Sequence, residues 1–316
     1  MGKLTKFGFH VTVFTPTYNR AYMLHNLYDS LKRQTRYDFE WLIVDDGSTD
    51  NTEEVVTKWL KEKLPFPVRY YKKENGGKHR AINFALTRAS GELFFIVDSD
   101  DYLSDTAIET IVQIYGTLPL NSVTKYAGVA GCRGYYNGKM IGSSFKGDFL
   151  DCLSVNREKY GISGDKAEVF ITSVLREYPF PEFEGENFVT EAAVWDKMSL
   201  DGYYLRYFNE VIYLCEYLED GLTRQGLELY YKNPQGYGYY LRQSRKAGKF
   251  EKNLQVYFDV ECYLHWKNQI ELQKIAEMIG TKPSALIWQV NIYRLRKYGS
   301  KCKQFILNIL KRGCKL

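Results

Sequence analysis

Two patterns of apolar positions alternate over the first hundred residues of the chain. In one, four to six consecutive residues are mostly apolar, which is typical of strands buried on both faces. In the other, apolar residues recur every three or four positions, which is typical of helices that pack by one face. Strands are predicted at residues 10–15, 41–44, 68–71 and 93–97, and helices at 21–33, 52–63 and 78–88. This order predicts an α/β fold with a parallel sheet and crossover helices.

The pattern changes after about residue 130. Shorter segments rich in glycine and aromatic residues, such as 131–136 and 168–175, predict further strands and a mixed central sheet. After about residue 220 the pattern becomes helical and basic, with helices predicted at 250–279 and 284–297 and a break at Pro283. We therefore predict one α/β domain over residues 1–225, with halves at 1–105 and 106–225, followed by a basic helical region at 226–316.

The composition is that of an ordinary globular protein, with 45% hydrophobic and 26% charged residues in a chain of 316. A net charge of +5 without a nucleic-acid-binding motif gives no support to a nucleic-acid partner. No signal-type apolar segment follows the N-terminus, and no uncharged stretch reaches the ~18 residues of a membrane span. Six scattered cysteines without metal-binding spacing predict reduced thiols, at Cys132, Cys152, Cys215, Cys262, Cys302 and Cys314. The chain is therefore expected in the cytoplasm.

Acidic residues follow two of the predicted strands. Asp98-Ser99-Asp100-Asp101 comes directly after the fourth strand, and Asp45-Asp46 after the second. Because the carboxyl ends of parallel strands meet at one edge of a sheet, we expect both groups to share one crevice. Carboxylates in an Asp-x-Asp arrangement are hard oxygen ligands, which suit a Mg²⁺ or Mn²⁺ ion that also bridges two phosphates. The alternative is a solvated acidic loop that caps the helix beginning near Thr106.

Other residues at the same edge suit a nucleotide. Tyr18, after the first strand, can stack on a nucleobase, and Asp46 can accept the N3–H of uracil. Gly76 and Gly77 allow backbone conformations that other residues rarely adopt. The run Lys78-His79-Arg80 that follows brings hydrogen-bond donors to a helix N-terminus, where an anion is favoured. For each segment taken alone, a plain turn or helix cap is the alternative. Their order on successive strand ends favours the nucleotide interpretation.

Four segments within residues 10–103, TPTYNR, VDDGSTDNT, ENGGKHRAIN and VDSDD, together resemble inverting glycosyltransferases of family two, of the bacterial polysaccharide type. The resemblance implies a GT-A fold, with a Rossmann-like nucleotide-binding half, a mixed central sheet and a C-terminal helical extension. Residues 1–105 would bind the nucleotide sugar and 106–225 the acceptor. The resemblance also implies that Asp46 holds the base and that Asp100 ligates Mn²⁺ or Mg²⁺. It places the donor against Thr15, Pro16, Tyr18, Asp46, Gly77, Lys78, Asp98 and Ser99, and leaves the role of Asp101 open.

Inversion requires a carboxylate on the acceptor side, which takes the hydroxyl proton as that oxygen attacks the anomeric carbon. The resemblance implies that this acid belongs to a Glu-Asp pair well beyond the acidic motif. In this chain the pair reads Glu191-Ala192, so Glu191 is the candidate base. Nearby substitutes are Glu184, Glu186 and Asp196, and a helix-cap role for Glu191 is the other interpretation.

Two later segments have alternative interpretations. Residues 217–224 resemble the loop that such enzymes close over the diphosphate, with Gly221 as its hinge, and the alternative is a plain connector. Residues 284–316 combine apolar and basic residues without an acidic one. This combination predicts either an interfacial helix on the anionic inner face of the cell membrane or a helix packed on its own domain.

The expected function is transfer of a sugar from a nucleotide donor, with a UDP-sugar favoured. The acceptor would be a hydroxyl of a saccharide or lipid-linked saccharide in cell-surface polysaccharide synthesis. Phosphatases of the haloacid-dehalogenase type also use Asp-x-Asp, but after the first strand, where this chain has Thr15-Pro16-Thr17. The remaining alternative is a non-catalytic scaffold of the same fold that binds a nucleotide or glycan.

Overall fold

The computed structural model describes residues 8–119, 123–215 and 222–295, except for the side chains of 222–225. Within these residues nine strands are present: β1 Phe9–Thr17, β2 Phe39–Asp45, β3 Val68–Lys72, β4 Gly91–Ile96, β5 Tyr102–Leu103, β6 Lys125–Gly134, β7 Phe149–Cys152, β8 Lys166–Ile171 and β9 Tyr203–Leu214. All belong to one sheet, in the order β3-β2-β1-β4-β8-β6-β9-β5, with β7 paired to β9.

Helices connect and cover the strands. In the first part of the chain they are α1 Leu24–Lys32, α2 Thr52–Trp59, α3 Lys78–Leu86 and α4 Ala107–Gly116. Two more, α5 Thr172–Arg176 and α6 Ala192–Leu200, follow, together with a 3₁₀ helix at Ser154–Tyr160. The C-terminal part contains α7 Leu222–Tyr231, α8 Pro234–Lys246, α9 Lys252–Trp266, α10 Leu272–Ile279 and a helix at 283–295, here called α11.

The sheet is mixed, as predicted. β1 pairs in parallel with both β2 and β4, and β2 pairs in parallel with β3. β8 then lies antiparallel between β4 and β6, while β6 and β9 are parallel. Each of the four strands and three helices predicted in the first hundred residues is present, with ends that differ by a few residues.

Both faces of the sheet are buried, which explains the continuous apolar runs. Along β1, Val11 and Val13 pack in one apolar cluster with Leu27 of α1, whereas Phe14 packs in another cluster with Ile82 of α3. This alternation follows from the two-residue repeat of a strand. Because helices cover both faces, the ends of the strands are where a ligand can approach the sheet.

The prediction of one helix over 250–279 was wrong. The chain forms α9 and α10, separated at 267–271. Three polar residues, Lys267, Asn268 and Gln269, interrupt the apolar periodicity at this point. The turn allows Trp266 and Ile275 to enter the same apolar cluster, which a straight helix of this length would hold apart.

The C-terminal helices are joined to the sheet domain through polar contacts as well as apolar ones. Asp196 of α6 accepts a hydrogen bond from Ser244 of α8 at 2.9 Å, and Lys249 Nζ lies 3.2 Å from the same carboxylate. The predicted boundary between 225 and 226 falls inside α7, where Gly226 departs from helical geometry (φ 53°, ψ −139°). The division into domains remains a prediction. In the described part of the chain, no helix combines the length and apolar character needed to cross a bilayer.

Candidate active site

The ends of β1, β2 and β4 meet at one edge of the sheet, as expected. Thr17 is in register with Asp45, and Phe14 with Ile96. The polar segments that follow these strands therefore start side by side. This common edge is the floor of the candidate site.

The segments after β1 and β2 are locked together by side chains. Asn19, which has a positive φ of 53°, accepts hydrogen bonds from the backbone N–H groups of Thr49 (2.8 Å) and Asp50 (3.3 Å). Asp50 in turn accepts from the N–H of Ala21 at 3.2 Å. An asparagine tolerates this conformation better than most residues do. The motif residues around position 50 thus fix the loop that carries Tyr18.

The residues predicted to line the nucleoside pocket differ in exposure. Tyr18 is 47% exposed, so its ring is accessible to a base. Thr15 is fully buried, and its hydroxyl accepts a hydrogen bond from Nε1 of Trp41 at 3.0 Å. Pro16 is also buried. Thr15 and Pro16 therefore support the wall of the crevice. Their side chains are less accessible to a nucleoside than the ring of Tyr18.

Asp46 organises the loop after β3. Its buried carboxylate accepts hydrogen bonds from Lys73 Nζ (2.6 Å) and from the backbone N–H groups of Gly76 (3.1 Å) and Gly77 (2.7 Å). Gly77 has φ +93°, and a Cβ at this position would lie 1.8 Å from the carbonyl oxygen of Asn187. A glycine is therefore required where this loop meets the segment that contains Asn187. Contact between Asp46 and a nucleobase remains a prediction. It requires the base to replace one of the present hydrogen-bond donors to the Asp46 carboxylate.

The three basic side chains at the start of α3 have different surroundings and do not form one cluster of donors. Lys78 faces the acidic residues of the crevice, whereas Arg80 donates to the backbone carbonyls of Gly76 (2.7 Å), Glu186 (2.6 Å) and Phe183 (2.7 Å). His79 is buried, and neither ring nitrogen has a hydrogen-bond partner among the residues that the structure describes. Burial, with the positive charge of Arg80, lowers the pKa of His79 to about 4.

Lys78 connects the two halves of the site. Its Nζ lies 2.5 Å from Oδ1 of Asp98 and 2.9 Å from Oε1 of Glu191. Burial disfavours the charged form, but the two carboxylates outweigh it and raise the pKa of Lys78. The ammonium group is therefore positively charged across the physiological pH range. Residues from α3, from the end of β4 and from the start of α6 thus meet at one atom.

The acidic segment after β4 contains three carboxyl groups in different environments. Burial alone would raise the pKa of Asp98, but the charges of Lys78 and Arg133 lower it below the usual range. For Asp100, burial and then the charge of Asp98 raise the pKa. Burial and the two neighbouring acids raise the pKa of Asp101 to about 8. Ser99 is buried between them.

The residues present fit a divalent cation held jointly with a donor. Within the described residues there is no group of three or more His, Cys, Asp or Glu side chains placed to bind a metal together. Mg²⁺ and Mn²⁺ sites of phosphate-transferring enzymes need fewer protein ligands, because substrate phosphates supply the rest. Within the described residues no other side chain donates a hydrogen bond to the Asp100 carboxylate, and a cation would relieve its repulsion with Asp98.

Among the candidate acids in the described part of the chain, Glu191 is the one that pairs with Lys78. It immediately precedes α6, and its side chain is 36% exposed beside Lys78. Glu186 is buried and accepts from the N–H groups of Gln235 and Gly236, both at 2.8 Å, which caps α8. Asp196 is buried against Ser244 and Lys249, and Glu184 is exposed. The geometry thus favours Glu191 as the acceptor-side acid.

Sequence reasoning missed three side chains, from residues 133–213, that hold the acidic segment in place. The hydroxyl of Tyr213 contacts Asp98 and Asp101, the guanidinium of Arg133 lies over the Tyr213 ring, and the hydroxyl of Tyr136 donates to the backbone oxygen of Asp100. No recognised motif contains these residues, and all three are distant in sequence from the acidic segment. In the predicted closing loop at 217–224, residues 217–221 with the hinge Gly221 lie outside the described residues, and the side chains of 222–224 are not described.

Residues 12–155 match the family model described as Glycosyl transferase family 2. Glycosyltransferase GlyA of Streptococcus pneumoniae serotype 4 is 27% identical over 208 residues, which cover 65% of this chain and 28% of GlyA. Other curated relatives are likewise matched over about a third of their length or less.

Two solved structures share the fold. Staphylococcus aureus TarS 1–349, in complex with UDP-GlcNAc, has a TM-score of 0.58 at 20% identity, covering 90% of this chain and 92% of that chain. Mannosyltransferase PcManGT from Pyrobaculum calidifontis, in complex with GDP-Man and Mn²⁺, has a TM-score of 0.52 at 19% identity, covering 94% and 81%. The predicted GT-A fold with C-terminal helices is confirmed, and residues 12–155 are similar to glycosyltransferases of family 2.

Proposed function

We propose that this chain transfers a sugar from a nucleotide donor, with UDP-sugars favoured, to a saccharide or lipid-linked saccharide hydroxyl, with inversion at the anomeric carbon. The observation that carries the proposal is the position of Lys78 Nζ, within 3 Å of both Asp98 and Glu191. It brings the acidic segment of the nucleotide half next to a carboxylate of the acceptor half. An inverting reaction needs this proximity, because the attacking hydroxyl and the leaving diphosphate lie on opposite sides of one carbon.

In the proposed reaction, Glu191 accepts the proton of the acceptor hydroxyl. The freed oxygen forms a bond to the anomeric carbon as the bond to the diphosphate oxygen breaks, so the electron pair leaves with the nucleoside diphosphate. Lys78 stays charged and stabilises negative charge at the diphosphate. Asp98 orients Lys78 and contacts the ribose or sugar, and Tyr18 stacks on the base.

Asp100, with the donor phosphates, would hold a divalent cation, Mn²⁺ or Mg²⁺. The cation would act as a Lewis acid for the leaving diphosphate. The Mn²⁺ in the PcManGT complex supports this assignment by analogy of fold. Donor identity does not follow from the fold, since one structural neighbour binds UDP-GlcNAc and the other GDP-Man. UDP is proposed because Asp46 lies at the end of β2, where a carboxylate can accept from uracil N3.

Thermal unfolding with different nucleotides tests this proposal. UDP, GDP, CMP and dTDP are compared at equal concentration with and without Mn²⁺, followed by UDP-sugars. A ligand at 100 times its Kd stabilises the native state by about 2.7 kcal/mol, so a specific nucleotide raises the melting temperature by several degrees. We expect the largest shift with UDP and Mn²⁺. Equal shifts for the four nucleotides would contradict the role of Asp46, and UDP binding without release of UDP from UDP-sugars would favour a non-catalytic scaffold.

We also propose that the chain works at the inner face of the cell membrane, on a lipid-linked acceptor. Leu286 and Val290 of α11 are buried in the C-terminal apolar cluster, while Trp288 is 65% and Leu295 72% exposed. Lysine and arginine residues are frequent in the sequence after Leu295. Exposed apolar residues next to basic ones favour contact with anionic lipids.

Sedimentation with lipid vesicles tests the membrane proposal. We expect the chain to pellet with vesicles containing phosphatidylglycerol and not with neutral phosphatidylcholine vesicles. Binding should fall as salt is raised from about 0.05 to 0.5 M, because screening weakens surface electrostatics. Trp288→Ser should bind the phosphatidylglycerol vesicles more weakly than the parent chain does. The matched control is Tyr160→Ser, which replaces an exposed aromatic residue on the sheet domain. Equal recovery with both kinds of vesicle, or none, would refute the proposal.

A further inference from the structure

The side chain of Tyr213 is a hydrogen-bond hub beneath the acidic segment. Tyr213 lies on β9, has no exposed surface, and donates its hydroxyl proton to Oδ2 of Asp101 at 2.6 Å. The same oxygen accepts the backbone N–H of Asp98 at 3.0 Å. One phenol oxygen thus joins the first and last acids of the segment. Asp101 is buried and Asp98 is partly buried, and such polar groups are costly to leave unsatisfied.

The position of this hydroxyl is itself fixed. The guanidinium of Arg133 lies over the Tyr213 ring, 4.2 Å from its centre, and Nε of Arg133 donates to the backbone oxygen of Lys166 at 3.0 Å. The ring of Phe95 packs edge-on against Tyr213. Residues 102–103 pair with β9 at Tyr213 and Leu214, so the backbone after the acidic segment is attached to the same strand. The acceptor half therefore determines where the acidic segment lies.

We propose that Tyr213 is a positioning residue that sets the orientation of Asp98 and Asp100 toward a bound cation and diphosphate. It does so by keeping Asp101 turned into the protein, so that Asp101 serves as a hydrogen-bond acceptor and not as a metal ligand. This inference rests on the proposed function. It also assigns a role to a residue outside the region that matches the family model, 12–155.

The contacts explain why the hydroxyl is needed. Asp98, Asp100 and Asp101 lie within four consecutive residues, and carboxylates held this close repel one another when charged. A hydrogen bond from Tyr213 holds the Asp101 carboxylate in place, and the bond from the Asp98 N–H fixes the start of the loop. Without the hydroxyl, the loop can relax to other arrangements, in which Asp98 and Asp100 no longer converge. If the carboxylates adopt the binding geometry for a smaller fraction of the time, the affinity for a cation falls in the same proportion.

The test compares Tyr213→Phe with a matched control, Tyr126→Phe. Phenylalanine keeps the ring that Arg133 contacts and removes one oxygen atom. Tyr126 is also buried on a strand and also donates to an aspartate, Asp151, at 2.7 Å, but it does not contact the acidic segment. Mn²⁺ binding in the presence of UDP is followed by electron paramagnetic resonance of free Mn²⁺, and turnover is measured over a range of Mn²⁺ concentrations. Thermal unfolding of each variant monitors stability.

We expect Tyr213→Phe to bind Mn²⁺ about tenfold more weakly and to need about tenfold more Mn²⁺ for half-maximal turnover. At saturating Mn²⁺ its kcat should stay within about threefold of the parent chain, since Asp100 and Glu191 are retained. Tyr126→Phe should lose about as much stability as Tyr213→Phe but should bind Mn²⁺ as well as the parent chain does. A purely structural role would lower the active fraction without moving the Mn²⁺ dependence.

Two results would overturn the inference while leaving the proposed function intact: unchanged Mn²⁺ affinity in Tyr213→Phe, or equal losses in both variants. If the parent chain itself bound UDP but no Mn²⁺, the proposed cation and this inference would both be wrong. The parent chain thus reports on the proposed function and the variant on Tyr213.

Discussion

Glu191→Gln is expected to lower kcat by about 10²- to 10⁴-fold, the usual contribution of a general base. Glutamine has the same shape and can still accept a hydrogen bond from Lys78, which lies 2.9 Å from Oε1 of Glu191. It cannot take a proton from the acceptor hydroxyl. Binding of UDP and Mn²⁺ should therefore change little, while transfer is nearly abolished. The measurement is a steady-state assay of UDP release with acceptor, together with UDP titration of the variant.

Glu184→Gln is the matched control for this prediction, because Glu184 is exposed on the same segment before α6. Its kcat should stay within about twofold of the parent chain, as is normal for surface changes away from the reacting atoms. Glu186→Gln is unsuitable, since Glu186 caps α8 through two backbone N–H groups. If Glu191→Gln retained full turnover, another group would have to serve as the base.

The architecture of the first half could be predicted from the sequence because its strands are buried on both faces. A continuous apolar run such as 93–97 has few other interpretations when helix-period segments flank it. The C-terminal helices were harder to predict. The break after Trp266 depends on how α10 packs against α8, and the polar residues at 267–269 are also common on the exposed face of a continuous helix.

The sequence predicted that the segments at the ends of strands lie side by side, but it did not predict the different surroundings of the residues at the start of α3. Sequence treats Lys78, His79 and Arg80 as three equivalent basic groups. A helix, however, turns by about 100° per residue, so three successive side chains face different surroundings. Lys78 reaches the acids, His79 enters the core, and Arg80 reaches backbone carbonyls near position 183. The segment that Arg80 binds is a hundred residues away, which no local pattern reveals.

Asp46 and Tyr213 show a second limit of sequence reasoning. A motif predicts that Asp46 is important but does not give the partners of its carboxylate, which here include the N–H groups of Gly76 and Gly77. Tyr213 is one of several buried residues in β9, and the pattern of the strand does not single it out. Its contact with Asp98 depends on how β9 joins the sheet through β6, so it follows from tertiary topology.

Asp100→Asn is expected to reduce kcat/KM for the donor by about 10²- to 10⁴-fold and to remove most of the stimulation by Mn²⁺. A Lewis acid at a leaving diphosphate contributes several kcal/mol, and each 1.36 kcal/mol is tenfold in rate. Asparagine keeps the size of the side chain, and the backbone oxygen can still accept from Tyr136. Because burial and the charge of Asp98 raise the pKa of Asp100, the unliganded segment should become slightly more stable in this variant.

The opposite effects on stability and turnover make Asp100→Asn informative. A residue needed for folding would lower the melting temperature when replaced, whereas a cation ligand that is strained without its cation would raise or preserve it. The control is Asp105→Asn, at an exposed acid paired with Arg33 beyond the crevice, for which Mn²⁺ stimulation should be unchanged. Melting temperature and Mn²⁺-dependent UDP release are measured on the same preparations. If Asp100→Asn retained its stimulation by Mn²⁺, the cation would be held by other ligands, and the assignment of Asp100 would be wrong.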